Sequence, residues 1–240
     1  MSMNKITSDF FNRPHPKFSD RLSINEDNVL GSNVPIVEID LGLNVEKMLE
    51  DVRQVEIIKH IRAPNPFQKE PRFAGWQLIS LWNLYPARKL PHIPSMVTAQ
   101  FDETPAPILP MDYEKLGNVI SEFDRVGLPF RRLIVTVMEP GAYVSPHRDI
   151  SFSQSPLNYV WIPLNYPNGS RFGVFTKGEI DVNLGSVYLL NQENFPHSVA
   201  NDSNEMRYVL AGWLDMPKIS PEFLALAKKN ILAQYPENIT

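Results

Sequence analysis

Two histidines and an aspartate supply the residue types from which a metal site without sulfur is built. His147 and Asp149 are separated by one residue, and His197 follows 50 residues after His147. In an extended strand, residues two apart point to the same side. We therefore expect His147 and Asp149 to face one point in space while Arg148 faces away. His197 would complete a set of two imidazoles and one carboxylate.

That donor set is the two-His-one-carboxylate facial triad of non-haem Fe(II) oxygenases, which leaves coordination positions open for a cosubstrate and dioxygen. Zinc or manganese can occupy the same ligands, so the donors alone leave the metal open. Arg207 lies ten residues after His197, and a hairpin would bring the two together. An inward guanidinium there can bind the distal carboxylate of a 2-keto diacid bidentately. Taken singly, Arg207 also fits a structural ion pair and His197 an ordinary loop, but together the four residues favour a metal site.

The composition restricts the chemistry that the chain can carry out. It has 240 residues, no cysteine, five histidines and 22 prolines, with a formal net charge of −4. The lack of cysteine excludes disulfide scaffolds, thiolate zinc sites, iron–sulfur clusters and cysteine nucleophiles. The mildly acidic balance gives no reason to expect a nucleic-acid partner, and no apolar stretch has the length of a signal peptide or membrane span. We expect a soluble, cytoplasmic protein.

The elements that must position these residues indicate an antiparallel β core with flanking helices. Apolar residues at helical spacing predict helices over residues 44–62 and about 113–125, and a third that begins after the cap residue Ser220. Short β-type runs between turn residues predict strands, with no helices between them, which favours a β-sandwich or barrel. These runs cover residues 131–139, 158–164, 171–176, 185–190 and 206–214.

The chain is expected to form one catalytic domain, because no linker divides residues 1–240. We expect the Pro-rich residues 63–112 and the loop at 150–157 to form the walls or lid of a pocket. The predicted regions are an N-terminal arm outside the core (1–35), a helical and Pro-rich pocket-forming region (36–130), the β core (131–216) and a C-terminal helix (217–240).

Residues 131–214 resemble the Fe(II)/2-oxoglutarate-dependent oxygenases, and within them the aspartyl/asparaginyl β-hydroxylase-like group, which includes bacterial free L-proline hydroxylases. The matching stretches are RRLIVTVMEPGAYVSPHRD, LNYVWIPLNYP, and GEIDVNLGSVYLLNQENFPHSVAN followed by MRYVLAGW. The resemblance implies a double-stranded β-helix (jelly-roll) core with iron at its open end. It implies Fe(II) on His147, Asp149 and His197, and dioxygen as the oxidant. It also implies 2-oxoglutarate as cosubstrate, with the C5 carboxylate on Arg207.

The chain departs from this group on the strand predicted at 158–164. Family members usually carry an arginine and a histidine there, which help to bind 2-oxoglutarate or substrate, whereas this chain has Tyr159 and Trp161. Both aromatic residues are therefore candidates for lining the cofactor and substrate site, and they favour a bulkier or less charged substrate. Asn158 and Arg171 are further candidates for polar contacts.

The resemblance implies hydroxylation of an unactivated C–H bond in an amino acid or amino-acid-like small molecule, with release of succinate and CO2. One alternative is hydroxylation of a protein side chain of the Asp or Asn type. Another is a jelly-roll module that binds a metal or ligand without turnover. The presence of Asp149 favours a small-molecule substrate, since the protein β-hydroxylases of this group often lack the carboxylate ligand. The oligomeric state stays open.

Overall fold

Two antiparallel sheets make up most of the structure, a computed structural model that describes residues 22–60, 75–83, 115–149 and 155–236. The strands are β1 (Ile36–Asp40), β2 (Trp76–Asn83), β3 (Phe130–Met138), β4 (Tyr143–His147), β5 (Tyr159–Pro163), β6 (Ser170–Val174), β7 (Gly178–Glu179), β8 (Ser186–Leu190), β9 (His197–Asn201) and β10 (Arg207–Leu214). The helices are α1 (Val45–His60), α2 (Gly117–Val126) and α3 (Pro221–Gln234). Within the described part of the chain, none of the helices has the length and apolar character that crossing a membrane requires.

The strand order confirms the predicted fold class, mainly β with flanking helices around a jelly-roll core. The larger sheet runs β1-β8-β5-β10-β3-β2, and the smaller sheet runs β4-β9-β6-β7. From β4 to β10, each strand lies in the opposite sheet from the strand before it, except that β6 and β7 both lie in the smaller sheet. The chain therefore passes back and forth between two layers, with antiparallel pairing throughout both.

Two apolar clusters lie on opposite faces of the larger sheet. The inner cluster, between the sheets, is rich in aromatic side chains and includes Trp161 and Phe172. The outer cluster is mainly aliphatic and joins the sheet to the helices. Strand β10 is buried along all eight residues, because both of its faces are covered. Its alternate residues Val209, Ala211 and Trp213 belong to the inner cluster.

The predicted elements are found close to their expected positions. α1 begins one residue after the predicted start, and α2 ends at Gly127, whose φ of 68° is the left-handed conformation typical of a glycine that terminates a helix. The five predicted strands correspond to β3, β5, β6, β8 and β10, and each boundary differs by at most two residues. Short apolar runs between turn residues were therefore sufficient to predict these strands.

The prediction that residues 1–35 form an arm outside the core is wrong for the described residues of that segment. Leu30 and Val34 are almost completely buried and belong to the outer cluster. Ser23 and Asn33 form an isolated antiparallel bridge. A few apolar side chains among many polar ones are enough to cover the end of a sheet. The next element, β1, is an edge strand that the sequence did not predict, and it pairs with β8.

The expected walls and lid of the pocket fall largely outside the described residues. Of residues 63–112 the structure describes 75–83, which contain β2 and pair with β3. Of the loop at 150–157 it describes the last three residues. The roles predicted for these segments stay predictions.

Replacing Ser220 with alanine tests the cap that begins α3. The Ser220 hydroxyl oxygen accepts a hydrogen bond from the Phe223 amide at 3.1 Å, and Pro221 occupies the first helical position. Removing this acceptor is expected to lower the free energy of unfolding by about 1 kcal/mol. Chemical denaturation of Ser220→Ala and wild-type protein measures the change. Ser220→Asp, which retains an acceptor, is expected to restore the lost stability.

Candidate metal centre and carboxylate site

Strands β4 and β9 bring the two predicted histidine ligands together. Their Cα atoms are direct partners in the antiparallel register, and the imidazole centroids are 4.4 Å apart. The pairing contains an irregularity between Val144 and His147, and the Ser198 hydroxyl donates to the Val144 carbonyl oxygen at 2.8 Å beside it. This irregularity re-aims the end of β4, as β-bulges next to active sites do.

Asp149 completes the cluster from just beyond the end of β4. One carboxylate oxygen is 3.5 Å from Nε2 of His147, and the other is 3.6 Å from Nε2 of His197. The candidate ligand atoms of the three residues lie within 4.8 Å of one another. The Asp149 amide donates to the Gln192 carbonyl oxygen at 3.1 Å, which fixes the backbone there. Arg148 is exposed, as the alternation of the strand predicted.

Both imidazoles can present a lone pair towards the centre of the cluster. Nδ1 of His147 lies 2.7 Å from the Ser145 carbonyl oxygen, so Nδ1 carries the proton and Nε2 carries the lone pair that could bind a metal. Burial lowers the pKa of His197 to about 4, although the nearby Asp149 carboxylate acts in the opposite direction. His197 is therefore neutral near pH 7. The Asp149 side chain is 40% exposed, so the cluster opens to solvent on the carboxylate side.

Arg207 presents a carboxylate-binding edge inside the barrel. It is 1% exposed, and its Nη1 donates to the carbonyl oxygens of Arg171 at 3.2 Å and Ala200 at 3.4 Å. Nε and Nη2 are buried without a hydrogen-bond partner. These two nitrogens form one edge of the guanidinium, the fork that binds a carboxylate bidentately. Burial lowers the pKa of Arg207 to about 10, so the group is charged at neutral pH.

The distance from Arg207 to the triad suits a short dicarboxylate. Ala200, which accepts from Arg207, lies three residues after His197 in β9, or about 10 Å along the strand. A metal–oxygen bond of about 2 Å and a hydrogen bond of about 2.8 Å take up part of that distance. The unpartnered guanidinium edge at one end and the three N/O ligands at the other therefore fit 2-oxoglutarate and Fe(II).

The two aromatic residues predicted to line the site occupy different ends of the barrel interior. Trp161 stacks on Phe172, with ring centroids 4.4 Å apart, and the Arg207 guanidinium carbon is 5.3 Å from the Trp161 ring. Tyr159 packs edge-on against Trp213 at 4.9 Å. Tyr159 pairs with Leu190, two residues before Gln192, whose carbonyl oxygen accepts from the Asp149 amide, so this ring lies near the triad. Trp161 therefore lies on the Arg207 side and Tyr159 on the metal side.

The two candidates for polar contacts behave differently. Asn158 is buried, with its side-chain nitrogen unpartnered, next to Tyr159. The expectation that the Arg171 side chain contacts the site is wrong. That side chain alternates with the inward Phe172 and forms a salt bridge of 2.8 Å with Glu179 on the other face of β6. Arg171 contributes only its carbonyl oxygen, which accepts from Arg207.

Two polar residues near the site were not singled out from the sequence. The Tyr166 ring lies 5.0 Å from the Arg207 guanidinium, and burial raises the pKa of its phenol to about 12. Gln192 is 3% exposed, and neither its amide oxygen nor its amide nitrogen has a partner. The available signal for Gln192 was a polar residue two positions beyond the end of the β-type run at 185–190.

The match to one family model agrees with this geometry. A family model described as aspartyl/asparaginyl beta-hydroxylase matches residues 44–217. No curated protein matches the chain.

Among solved structures, the chain is similar to a Pseudomonas putida prolyl-4-hydroxylase, at 15% identity over 79% of this chain and 95% of that chain, with a TM-score of 0.42. It is similar to a 2OG-Fe(II) oxygenase family oxidoreductase from Burkholderia pseudomallei, at 15% identity over 76% and 84% of the two chains, with a TM-score of 0.44. It is also similar to a Trichoplax adhaerens prolyl hydroxylase in complex with a hypoxia inducible factor peptide, at 16% identity over 91% and 96%, with a TM-score of 0.43.

The family match covers well over half of the chain, including both halves of the site. Its range contains the triad and Arg207 as well as α1, α2 and nine of the ten described strands. The chain therefore belongs to the aspartyl/asparaginyl β-hydroxylase family and is a 2-oxoglutarate-dependent hydroxylase.

Proposed function

We propose that this chain hydroxylates an unactivated C–H bond of an amino acid or amino-acid-like small molecule. In the overall reaction, substrate, dioxygen and 2-oxoglutarate give hydroxylated substrate, succinate and CO2. One oxygen atom enters the substrate and the other enters succinate, so atoms and electrons balance. His147, Asp149 and His197 hold the iron, and Arg207 holds the distal carboxylate of 2-oxoglutarate.

The observation that carries this proposal is the unpartnered edge of Arg207. A guanidinium at 1% exposure with two nitrogens lacking partners is costly in the protein alone, because a buried charge loses its hydration. A bidentate carboxylate satisfies both nitrogens and neutralises the charge. Three N/O ligands within 4.8 Å of one another, further along the same barrel, supply the metal site that a 2-keto acid requires.

Bound Fe(II) supplies the redox chemistry, in which dioxygen is activated as 2-oxoglutarate loses CO2. The chain itself must orient the cosubstrate, hold the target C–H bond near the open coordination position and exclude water. Arg207 and its carbonyl partners fix one end of the cosubstrate. Trp161 and Phe172 form a stacked apolar wall beside it. Tyr159 and Trp213 form a second aromatic wall near Asp149, where a small substrate would lie.

The substrate class is tested by measuring succinate release with Fe(II), 2-oxoglutarate and a panel of free L-amino acids, with peptides containing the same residues in parallel. We expect one or a few free amino acids to raise succinate release at least about tenfold above the substrate-free rate, with a mass increase of one oxygen atom in the product. Turnover of peptides but not of free amino acids would support the protein side-chain alternative instead. Omission of Fe(II) is the control, and it should abolish both signals.

A further inference from the structure

Gln192 lies at the triad end of the barrel interior. Tyr188 and Leu190 of β8 belong to the inner cluster. The pairing of β8 with β1 continues for one residue beyond Leu190, because the Asn191 amide donates to the Pro35 carbonyl oxygen. The Asn191 side chain bonds to Asn33 on the other side. Gln192 lies in the turn that follows, two residues after the inward Leu190. Its own carbonyl oxygen accepts from the amide of Asp149, so it adjoins the proposed iron ligand.

The Gln192 amide is buried without any hydrogen bond. The residue is 3% exposed, and both Oε1 and Nε2 lack a partner. Nearly all buried polar side-chain atoms in proteins are hydrogen-bonded, because an unsatisfied one is destabilising. An amide with a free acceptor and a free donor therefore indicates a ligand that offers both complements, a donor for Oε1 and an acceptor for Nε2.

The surroundings of Gln192 restrict the chemistry of that ligand. One row of paired residues crosses β3, β10 and β5 and consists of Arg132, Trp213 and Tyr159. We call this row together with Gln192 the end wall. Arg132 is 2% exposed and its guanidinium lies 4.9 Å from the Trp213 ring. Asp149 adjoins Gln192 through the backbone hydrogen bond between them, and Arg132 lies in the row of Trp213 and Tyr159, so an anionic and a cationic side chain lie at this end of the interior. A group that carries both charges, such as the head of an α-amino acid, suits it.

We propose that Gln192 positions the substrate by hydrogen-bonding the zwitterionic head group of an α-amino acid. Nε2 donates to the substrate carboxylate and Oε1 accepts from the substrate ammonium, while the aromatic part of the end wall packs on the side chain. This inference rests on the proposed function and names the residue that recognises its substrate. It gives the buried amide a role that packing alone does not provide, since the Gln192 side chain forms no hydrogen bond with a described neighbour.

The variant Gln192→Met separates substrate positioning from a structural role. Methionine has nearly the same length and no amide, so it removes the hydrogen bonds and keeps the volume. We expect kcat/KM for the amino-acid substrate to fall about 10- to 100-fold, the loss typical of hydrogen bonds to charged groups. The ratio of succinate to hydroxylated product should rise, because a poorly held substrate is hydroxylated less often per 2-oxoglutarate consumed. The melting temperature should stay unchanged or rise, because an unsatisfied buried amide is removed.

The exposed neighbour provides the control, and the binding of metal and cosubstrate provides the second measurement. Glu193→Gln should match wild type in every parameter. Anaerobic titrations of Gln192→Met with Fe(II) and then with 2-oxoglutarate should give wild-type affinities. Wild-type kcat/KM and coupling in Gln192→Met would overturn the inference, and so would a loss of Fe(II) affinity, which would mean that Gln192 acts on Asp149. If wild-type protein turns over peptides but no amino acid, the proposed function itself fails, and this inference fails with it.

Discussion

Replacing Asp149 with alanine is expected to abolish 2-oxoglutarate turnover, with at least about a thousandfold loss of succinate release. The carboxylate is the only anionic donor of the proposed triad, and without it two neutral imidazoles must hold the metal. Even residues that merely orient a metal ligand change affinity or activity 10- to 100-fold, by general experience, so loss of a ligand has a larger effect. Succinate release and anaerobic Fe(II) titration measure the two consequences.

The loss should come from chemistry and not from unfolding. The Asp149 side chain is 40% exposed, and its two carboxylate oxygens lie 3.5 and 3.6 Å from the imidazole nitrogens of His147 and His197. Burial lowers the pKa of His197 to about 4, so that contact is not a charge pair at neutral pH. Partly exposed contacts of this kind contribute about 0–1 kcal/mol to stability. The melting temperature of Asp149→Ala should therefore stay close to that of wild type.

Arg148 supplies the matched control, because it is adjacent to both ligands and exposed. Arg148→Ala should retain Fe(II) affinity and turnover within about a factor of two, as expected for a surface substitution. Asp149→Ala protein that still turned over 2-oxoglutarate in an Fe(II)-dependent way would remove Asp149 from the proposed ligand set. Loss of turnover in both variants would instead indicate that this turn is sensitive to any substitution.

The shared face of two of the three proposed ligands was predictable because it depends on local geometry. His147 and Asp149 share a face through the alternation of an extended chain, whatever the fold around them. The face on which Arg207 lies was predictable for the same reason, since Val209 and Ala211 follow it two and four residues later and belong to the inner cluster. Local periodicity therefore predicted which side chains share a face, even with most of the pairing partners unknown.

Features that depend on the partner strand were not predictable. Arg171 was expected to reach the site, but its side chain points away from the barrel interior and forms a salt bridge with Glu179. Which face of β6 points inward follows from the pairing of β6 with β9 and β7, and the sequence does not give that pairing. The packing of Leu30 and Val34 depends on α3 and the outer cluster, which are distant in sequence. The burial of the Gln192 amide and its lack of hydrogen-bond partners depend on distant parts of the chain, so the sequence does not predict them.

Replacing Arg207 with methionine is expected to weaken 2-oxoglutarate binding at least about 30-fold, from the 2–5 kcal/mol that truncating one partner of a buried charge pair typically costs. Arg207→Lys keeps the charge but loses the fork, so it should recover only a small part of the affinity. Calorimetric titration of 2-oxoglutarate into the Fe(II)-loaded protein measures the change. Arg171→Met is the matched control, since its side chain points to the other face of β6 and its carbonyl oxygen remains.

In the absence of 2-oxoglutarate, Arg207→Met should leave the stability of the protein equal or higher. Two guanidinium nitrogens are buried there without partners, so removing the charge relieves a desolvation penalty and should leave the melting temperature equal or higher. Wild-type protein should gain about 2.7 kcal/mol of stability at 2-oxoglutarate concentrations 100 times the Kd, and Arg207→Met should gain almost none. If the variant were destabilised alone and still stabilised by 2-oxoglutarate, Arg207 would be a structural residue. A variant that is stable alone and unresponsive to 2-oxoglutarate is the result that the unpartnered edge predicts, because that edge destabilises the empty barrel and serves only the cosubstrate.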